Sequence, residues 1–169
     1  NAQLIFLGNA DLTGANRTIN VGLGTATLGG VVSNRGIIKN GPGLLILSGN
    51  NDFAGGITVN EGVLRISGAN SVVSDAVVNN GGTLQISARQ PDFDGDFIIN
   101  SGGTLQPTAI FSNDAQFAEA FGLPANEFFF DGGLFRHNLG SRLVTGRRFN
   151  LGAGGMTFEI GGGSYNNFI

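Results

Sequence analysis

Along residues 39–67, KNGPGLLILSGNNDFAGGITVNEGVLRIS, apolar and polar positions alternate, stop at a Gly or an Asn, and resume. A period of two is that of a strand with one buried face. A short unit recurs along the chain: apolar residues, an Asn, one or two residues, a Gly, then a Leu-centred strand. It reads INVGLGTATL (19–28), IIKNGPGLLIL (37–47), ITVNEGVLRI (57–66), VVNNGGTLQI (77–86) and FIINSGGTLQ (97–106). The aligned leucines, Leu28, Leu45, Leu64, Leu84 and Leu105, lie 17, 19, 20 and 21 residues apart. A longer spacing of about 40 residues relates Asp11-Leu12-x-Gly14, Asp52-Phe53-x-Gly55 and Asp92-Phe93-x-Gly95. RTINVG (17–22) returns as RRFNLG (147–152).

A unit of this length, with short alternating strands and no helix, cannot bury its apolar face alone. Stacking successive coils buries it, because each strand pairs in parallel with its equivalents above and below. Leu45 and Leu47 then share one face, as do Leu64 and Ile66, and stacked coils join them into apolar columns. The pattern therefore predicts an all-β chain, a parallel β-solenoid with coils of about 20 residues. Asn20, Asn40, Asn60, Asn80 and Asn100 precede its glycine corners, with Gly62, Gly82 and Gly102 as corner residues. Asn tolerates left-handed backbone and its amide bonds the turn; stacked amides form a ladder along the axis. The distance from Asn to the aligned Leu is five at Asn40 and Asn100, four at Asn60 and Asn80, and eight at Asn20. In the fourth coil Asn79 therefore competes with Asn80 for the slot.

Residues 107–126, PTAIFSNDAQFAEAFGLPAN, break the rhythm and carry the one helix signal. Asn113 or Asp114 serves as N-cap, apolar residues follow at 117, 118 and 121, and Gly122 and Pro124 stop the turn. The expected organisation is solenoid coils over 1–106, a helical or loop insertion over 107–126, and further coils over 127–169. With no polar capping repeat at either end and no initiating Met, the chain reads as part of a longer array.

Composition narrows the picture. Charged residues are 12% and glycines number 30, which suits many short strands joined by tight turns. Eight Arg and the single Lys39 against twelve acids leave a net charge of -3 with no basic block. Nucleic-acid binding and a polybasic membrane patch are not expected. No apolar run is long enough to span a bilayer. The absence of Cys excludes disulfides and thiolate metal sites.

With these residues in view, GPGLLILSGNNDFAGGITVNEGVLRISGANSV (41–72) resembles the autotransporter-associated β-strand repeat, G-x-G-x-L-x-L-x-G-x-N-x-[YF]-x-G-G-T-x-V-x-x-G-x-L-x-[VA]. The matching positions are Gly41, Gly43, Leu45, Leu47, Gly49, Asn51, Phe53, Gly55, Gly56, Val59, Gly62 and Leu64. Residues 15–33 and 146–160 are similar to the segments preceding such repeats; the 107–126 insertion departs from the pattern. The resemblance implies a right-handed parallel β-helix in a secreted or surface-displayed bacterial protein, usually as the stalk of a passenger. It carries no catalytic residues.

Searching the residues for chemistry leaves little. His137 is the single histidine, and no G-x-S-x-G motif surrounds any serine, so a surface or corner residue is expected there and no catalysis. Asp92, Asp94 and Asp96 in PDFDGDF alternate along a strand and form a weak Ca²⁺ candidate. They lack an EF-hand's spacing, and a solvated acidic loop is the favoured reading. Asp52 and Asp92 sit two coils apart, a spacing compatible with paired carboxylates of a glycosidase, but Asp11 fills the same slot as a turn residue. The glycines at 22–30 and 152–155 lack the G-K-[ST] of a phosphate loop. No cofactor is expected.

Phenylalanines cluster at 111, 117, 121, 128, 129, 130 and 135. Alternation puts Phe128 and Phe130 on one face and Phe129 on the other. The expectation is that the insertion covers the outer side, burying Phe129 or its neighbours. The alternative is that Phe117, Phe121 and Phe129 form an exposed partner contact. A structural segment of an extracellular or outer-membrane-surface protein is thus the leading expectation. It has protein partners through its solenoid ends, either another copy, as in a filament, or adjacent segments of a longer chain. A polysaccharide-binding or polysaccharide-degrading β-helix, and an adhesin whose insertion meets a surface glycan or receptor, are the alternatives.

Overall fold

The structure, a computed structural model, describes residues 2–90, 92–108, 119–137 and 146–161. Three parallel sheets run along one axis; successive coils contribute strands to the first two in turn, and only the first four coils also contribute one to the third. The first holds β1 (Gln3–Phe6), β4 (Thr25–Leu28), β7 (Leu44–Leu47), β10 (Gly62–Ile66), β13 (Gly82–Ile86), β15 (Thr104–Pro107), β17 (Gly133–His137) and β19 (Met156–Ile160). The second holds β3 (Arg17–Asn20), β6 (Ile37–Asn40), β9 (Ile57–Val59), β12 (Ala76–Val78), β14 (Phe97–Asn100), β16 (Phe128–Asp131) and β18 (Phe149–Leu151). The third is short: β2 (Ala10–Asp11), β5 (Val32–Asn34), β8 (Asp52–Phe53) and β11 (Ser71–Val72), extended by a bridge from Val72 to Phe93. This is the parallel β-solenoid expected from the repeat, about seven coils high.

The core is a set of columns. Ala26, Leu45, Leu64, Leu84, Leu105, Phe135 and Phe158 stack in register on the inner face of the first sheet. Leu28, Leu47, Ile66, Ile86 and Pro107 form the column beside it. Leu28 therefore stacks on Leu47 and not on Leu45, as the motif alignment had it. The corners decide this. Gly43 N donates to Val21 O and Leu44 N to Gly24 O, so the two glycine turns lie one above the other and set the strands 19 residues apart.

In the second sheet the inner column Ile37, Ile57, Ala76, Phe97, Phe128, Phe149 passes from aliphatic to aromatic. The change begins at Phe97, in the coil before the insertion, and continues through Phe128 and Phe149 after it. Residues 109–118, with the expected N-cap and Phe111 and Phe117, lie outside the described residues. The segment after them does not cover the outer face of the sheet. Ala120 and Phe121 are fully buried, and the Phe121 ring meets Phe97 and Phe128 edge-on at centroid distances of 5.4 and 5.2 Å. Leu123 N donates to Phe93 O, so the returning chain supplies the third side of its coil, above Phe93.

Two expectations are corrected here. Phe121 cannot be a partner contact, because it fills the solenoid interior, where a coil without a third side would leave a void. His137, expected as a surface or corner residue, is not at the surface: it ends β17 on its inner side and is only 6% exposed. Phe129 points to the outer side of its strand and is 37% exposed.

Candidate functional site

The corner between the second and first sheets gathers most of the polar side chains that the repeat singled out. Asn60 Nδ2 donates to Asn40 Oδ1 at 2.9 Å, Asn79 Nδ2 to Asn60 Oδ1 at 2.7 Å, and Asn100 Nδ2 to Asn79 Oδ1 at 2.7 Å. Asn20 lies in register with Asn40 at one end, and Asp131 with Asn100 at the other. Every amide donates in the same sense, so the ladder has a direction. Asn80 is not a rung: Val78 stacks on Val59, which brings Asn79 over Asn60 and leaves Asn80 exposed in the turn. The same extra residue moves the left-handed position to Gly81, at φ 83°, where Gly62 and Gly102 hold it in their coils at 67° and 75°. Gly82 instead opens β13 with its Cα so close to the coil below that a Cβ would come within 2.4 Å of Val59 O.

Behind this ladder lies a residue whose role the sequence reading missed. Lys39 occupies the inner column Ile19, Lys39, Val59, Val78, Ile99, Phe130 and is fully buried. Its Nζ donates to the carbonyl oxygens of Asn40 at 3.0 Å, Gly41 at 2.6 Å and Glu61 at 3.0 Å. The next corners explain why an ammonium belongs there. Gly62 N donates to Gly81 O, Gly81 N to Gly102 O, Gly102 N to Gly132 O, and Gly132 N to Gly155 O. The corner at 40–43 holds one residue more than that at 60–62, and the residue is Pro42, which has no N–H to give. Lys39 supplies three donors where the glycine chain breaks.

Burial lowers the Lys39 pKa below 10.5, against an opposing pull from the Glu61 carboxylate. A group whose folded pKa is depressed in this way binds its proton more weakly folded than unfolded. Stability then rises with pH from the lowered value up to 10.5. Lys39→Met should remove that alkaline rise. It should also cost about 2 kcal/mol at neutral pH, since the Gly41 and Glu61 carbonyls lose their donor. Urea unfolding of both proteins from pH 7 to 11 tests this. An equally stable Lys39→Met protein would refute the bridging role.

A second ladder, also unforeseen, lies inside. Asn51 Nδ2 and backbone N both donate to Asn70 Oδ1, and Asn70 Nδ2 and N both donate to Gln90 Oε1. Val32 N donates to Asn51 Oδ1 at 2.8 Å, and Gln90 N reaches Glu119 O at 2.9 Å. The three side chains are 2% exposed or less. Its signal in the sequence is Gly49-x-Asn51, Gly68-x-Asn70 and Ala88-x-Gln90, a small residue two before an amide in each coil.

The acids do not converge. Asp11, Ser33, Asp52 and Ser71 share one outward column, and the Val72–Phe93 bridge places Asp92 next. Asp92 and Asp94 are exposed, while Asp96 Oδ1 accepts from Glu127 N at 2.7 Å and so caps the next coil. Among the described residues, no three His, Cys, Asp or Glu side chains are placed to hold a metal ion. An open groove of about 300 Å³ lies on the other side, against the second sheet, lined by Ile98, Asn100, Phe129, Asp131, Asn150 and Leu151. Asp92, Asp94 and Asp96 take no part in it.

The turn at 122–126 is held from the following coil. Arg147 donates to the carbonyls of Gly122, Leu123 and Asn126, and burial lowers its pKa. Asn126 Nδ2 donates to Phe93 O at 2.8 Å from within. No described helix is long and apolar enough to cross a membrane.

Comparison with curated proteins and with solved structures returns no match. Residues 37–66, the coils from β6 to β10 that carry Lys39, Asn40, Asn51 and Asn60, match the family model described as Passenger-associated-transport-repeat.

Proposed function

We propose that this chain is a rigid structural segment of a secreted or surface-displayed bacterial β-helical passenger, without catalytic chemistry of its own. The observation that carries this is the register. The strands of the matched stretch continue into coils on either side with the same three sheets and the same inner columns. At about 4.8 Å per coil, seven coils make a spacer of about 34 Å, stiff because every strand but the end ones is paired on both sides. Two polar ladders tie its coils together where side chains would otherwise meet water or a buried backbone. No metal or disulfide is needed for such a role.

The polysaccharide reading has no comparable observation behind it. Its acids lie apart from one another and from the groove at Phe129. The test is immunolabelling of intact cells that make the protein in its full-length parent, using antibody raised against this chain. Labelling without permeabilisation is the expected result. Labelling only after the cells are opened would refute surface display.

A further inference from the structure

We infer that Asn80 is a site of spontaneous covalent modification, where the chain converts one of its own side-chain amides to aspartate and isoaspartate. The sequence holds two Asn-Gly pairs, Asn40-Gly41 and Asn80-Gly81, both at the corner between the second and first sheets. A glycine after Asn leaves its backbone nitrogen open to the side chain before it, having no Cβ in the way. On sequence alone the two pairs are equally reactive. The structure separates them.

Asn40 is a rung of the outer ladder, its Oδ1 accepting from Asn60 Nδ2 at 2.9 Å. Gly41 is buried, and so close to the coil below that a Cβ would meet Asn20 Oδ1 and Val21 O at 2.4 Å. Neither a turned amide nor the water that the reaction needs has room there. Asn80 stands outside the ladder because Asn79 takes the rung, and both Asn80 and Gly81 are exposed. Among the described residues the Asn80 side chain takes part in no hydrogen bond. A Cβ on Gly81 would meet nothing nearer than Asn60 O, at 3.9 Å. One restraint remains: Gly81 N donates to Gly102 O at 3.2 Å, the long end of the usual range. In the first step Gly81 N bonds to Asn80 Cγ and passes its proton, through water, to Nδ2. The Cγ–Nδ2 bond breaks and the nitrogen leaves as ammonia, so that a cyclic imide remains. Water then opens the ring at Cγ, giving aspartate, or at the main-chain carbonyl carbon of Asn80, giving isoaspartate. Nothing is oxidised or reduced. The extra residue of this corner thus exposes a reactive amide whose conversion leaves every rung in place.

The test is to incubate the folded chain in mildly alkaline buffer made with heavy-oxygen water, and to map its peptides by mass spectrometry. The peptide holding Asn80 should take up the label and resolve into aspartate and isoaspartate forms. It should do so about tenfold faster than the peptide holding Asn40, whose reaction waits on a local opening that breaks its rung. In urea, where no ladder exists, the two should convert at similar rates, which also shows that both products are detected. Asn80→Gln, whose longer side chain closes the ring far more slowly, should remove the product and so assign it to Asn80 rather than Asn79. Equal rates at Asn40 and Asn80 in the folded chain would overturn the inference. So would a folded chain that keeps Asn80 intact while urea converts it, because the bond to Gly102 would then be protection enough. Product persisting in Asn80→Gln would move the reaction to Asn79 and overturn it as well.

Discussion

Replacing Phe121 by alanine is expected to lower the stability of the solenoid by about 4 kcal/mol, within the range for deleting a buried phenylalanine. Phe121 is fully buried and stands among Phe97, Phe128 and Phe135, whose ring centroids lie 5.2 to 6.4 Å away. Its neighbours belong to β14, β16 and β17, so the ring joins the coils before and after the insertion. The void cannot close cheaply, because Phe97 and Phe128 are held in strands paired on both sides. Phe129→Ala is the control: it removes a ring of the same size from the outer face, 37% exposed, and should cost only about 1–2 kcal/mol. Urea unfolding of the two variants measures both. Equal losses would mean that Phe121 is not the third side of its coil.

The contrast between those two rings separates what the sequence made legible from what it hid. Alternation around Leu45, Leu64 and Leu84 is long enough to reveal strands, and its repetition with a coil's period reveals stacking. The third sheet has strands of two or three residues, such as Asp52–Phe53, too short for any alternation. That side was invisible, and with it the interior position that Phe121 fills. Lys39 was hidden differently. Its neighbour Ile37 faces inward, so the period of two already places Lys39 inside, but a lysine reads as surface until the broken glycine chain at Pro42 is seen. The choice between Asn79 and Asn80 needed the Val59–Val78 pairing, a contact between coils that no local pattern encodes.

Substituting Asn70 by leucine, similar in volume, is expected to cost about 3 kcal/mol and to make unfolding less cooperative. Asn70 Oδ1 is the acceptor for both the backbone N and the side-chain Nδ2 of Asn51, and its own Nδ2 serves Gly68 O and Gln90 Oε1. Removing it strands donors of Asn51 in a place where that residue is 2% exposed. Each orphaned buried group carries a penalty of about 1–3 kcal/mol. Asn60→Leu breaks the outer ladder instead. There the rungs are half-buried, water takes the freed amides of Asn40 and Asn79, and the loss should stay near 1 kcal/mol. Cooperativity distinguishes the two further. In a stack of coils, stability is a sum of coil and interface contributions. Weakening the interface between the coils of Asn51 and Gln90 lets the two halves unfold apart. The expected result is a lower urea slope for Asn70→Leu, or two transitions, with the slope of Asn60→Leu unchanged. If both variants lose the same small amount with unchanged slope, the inner ladder does not couple the coils, and the apolar columns hold the solenoid together unaided.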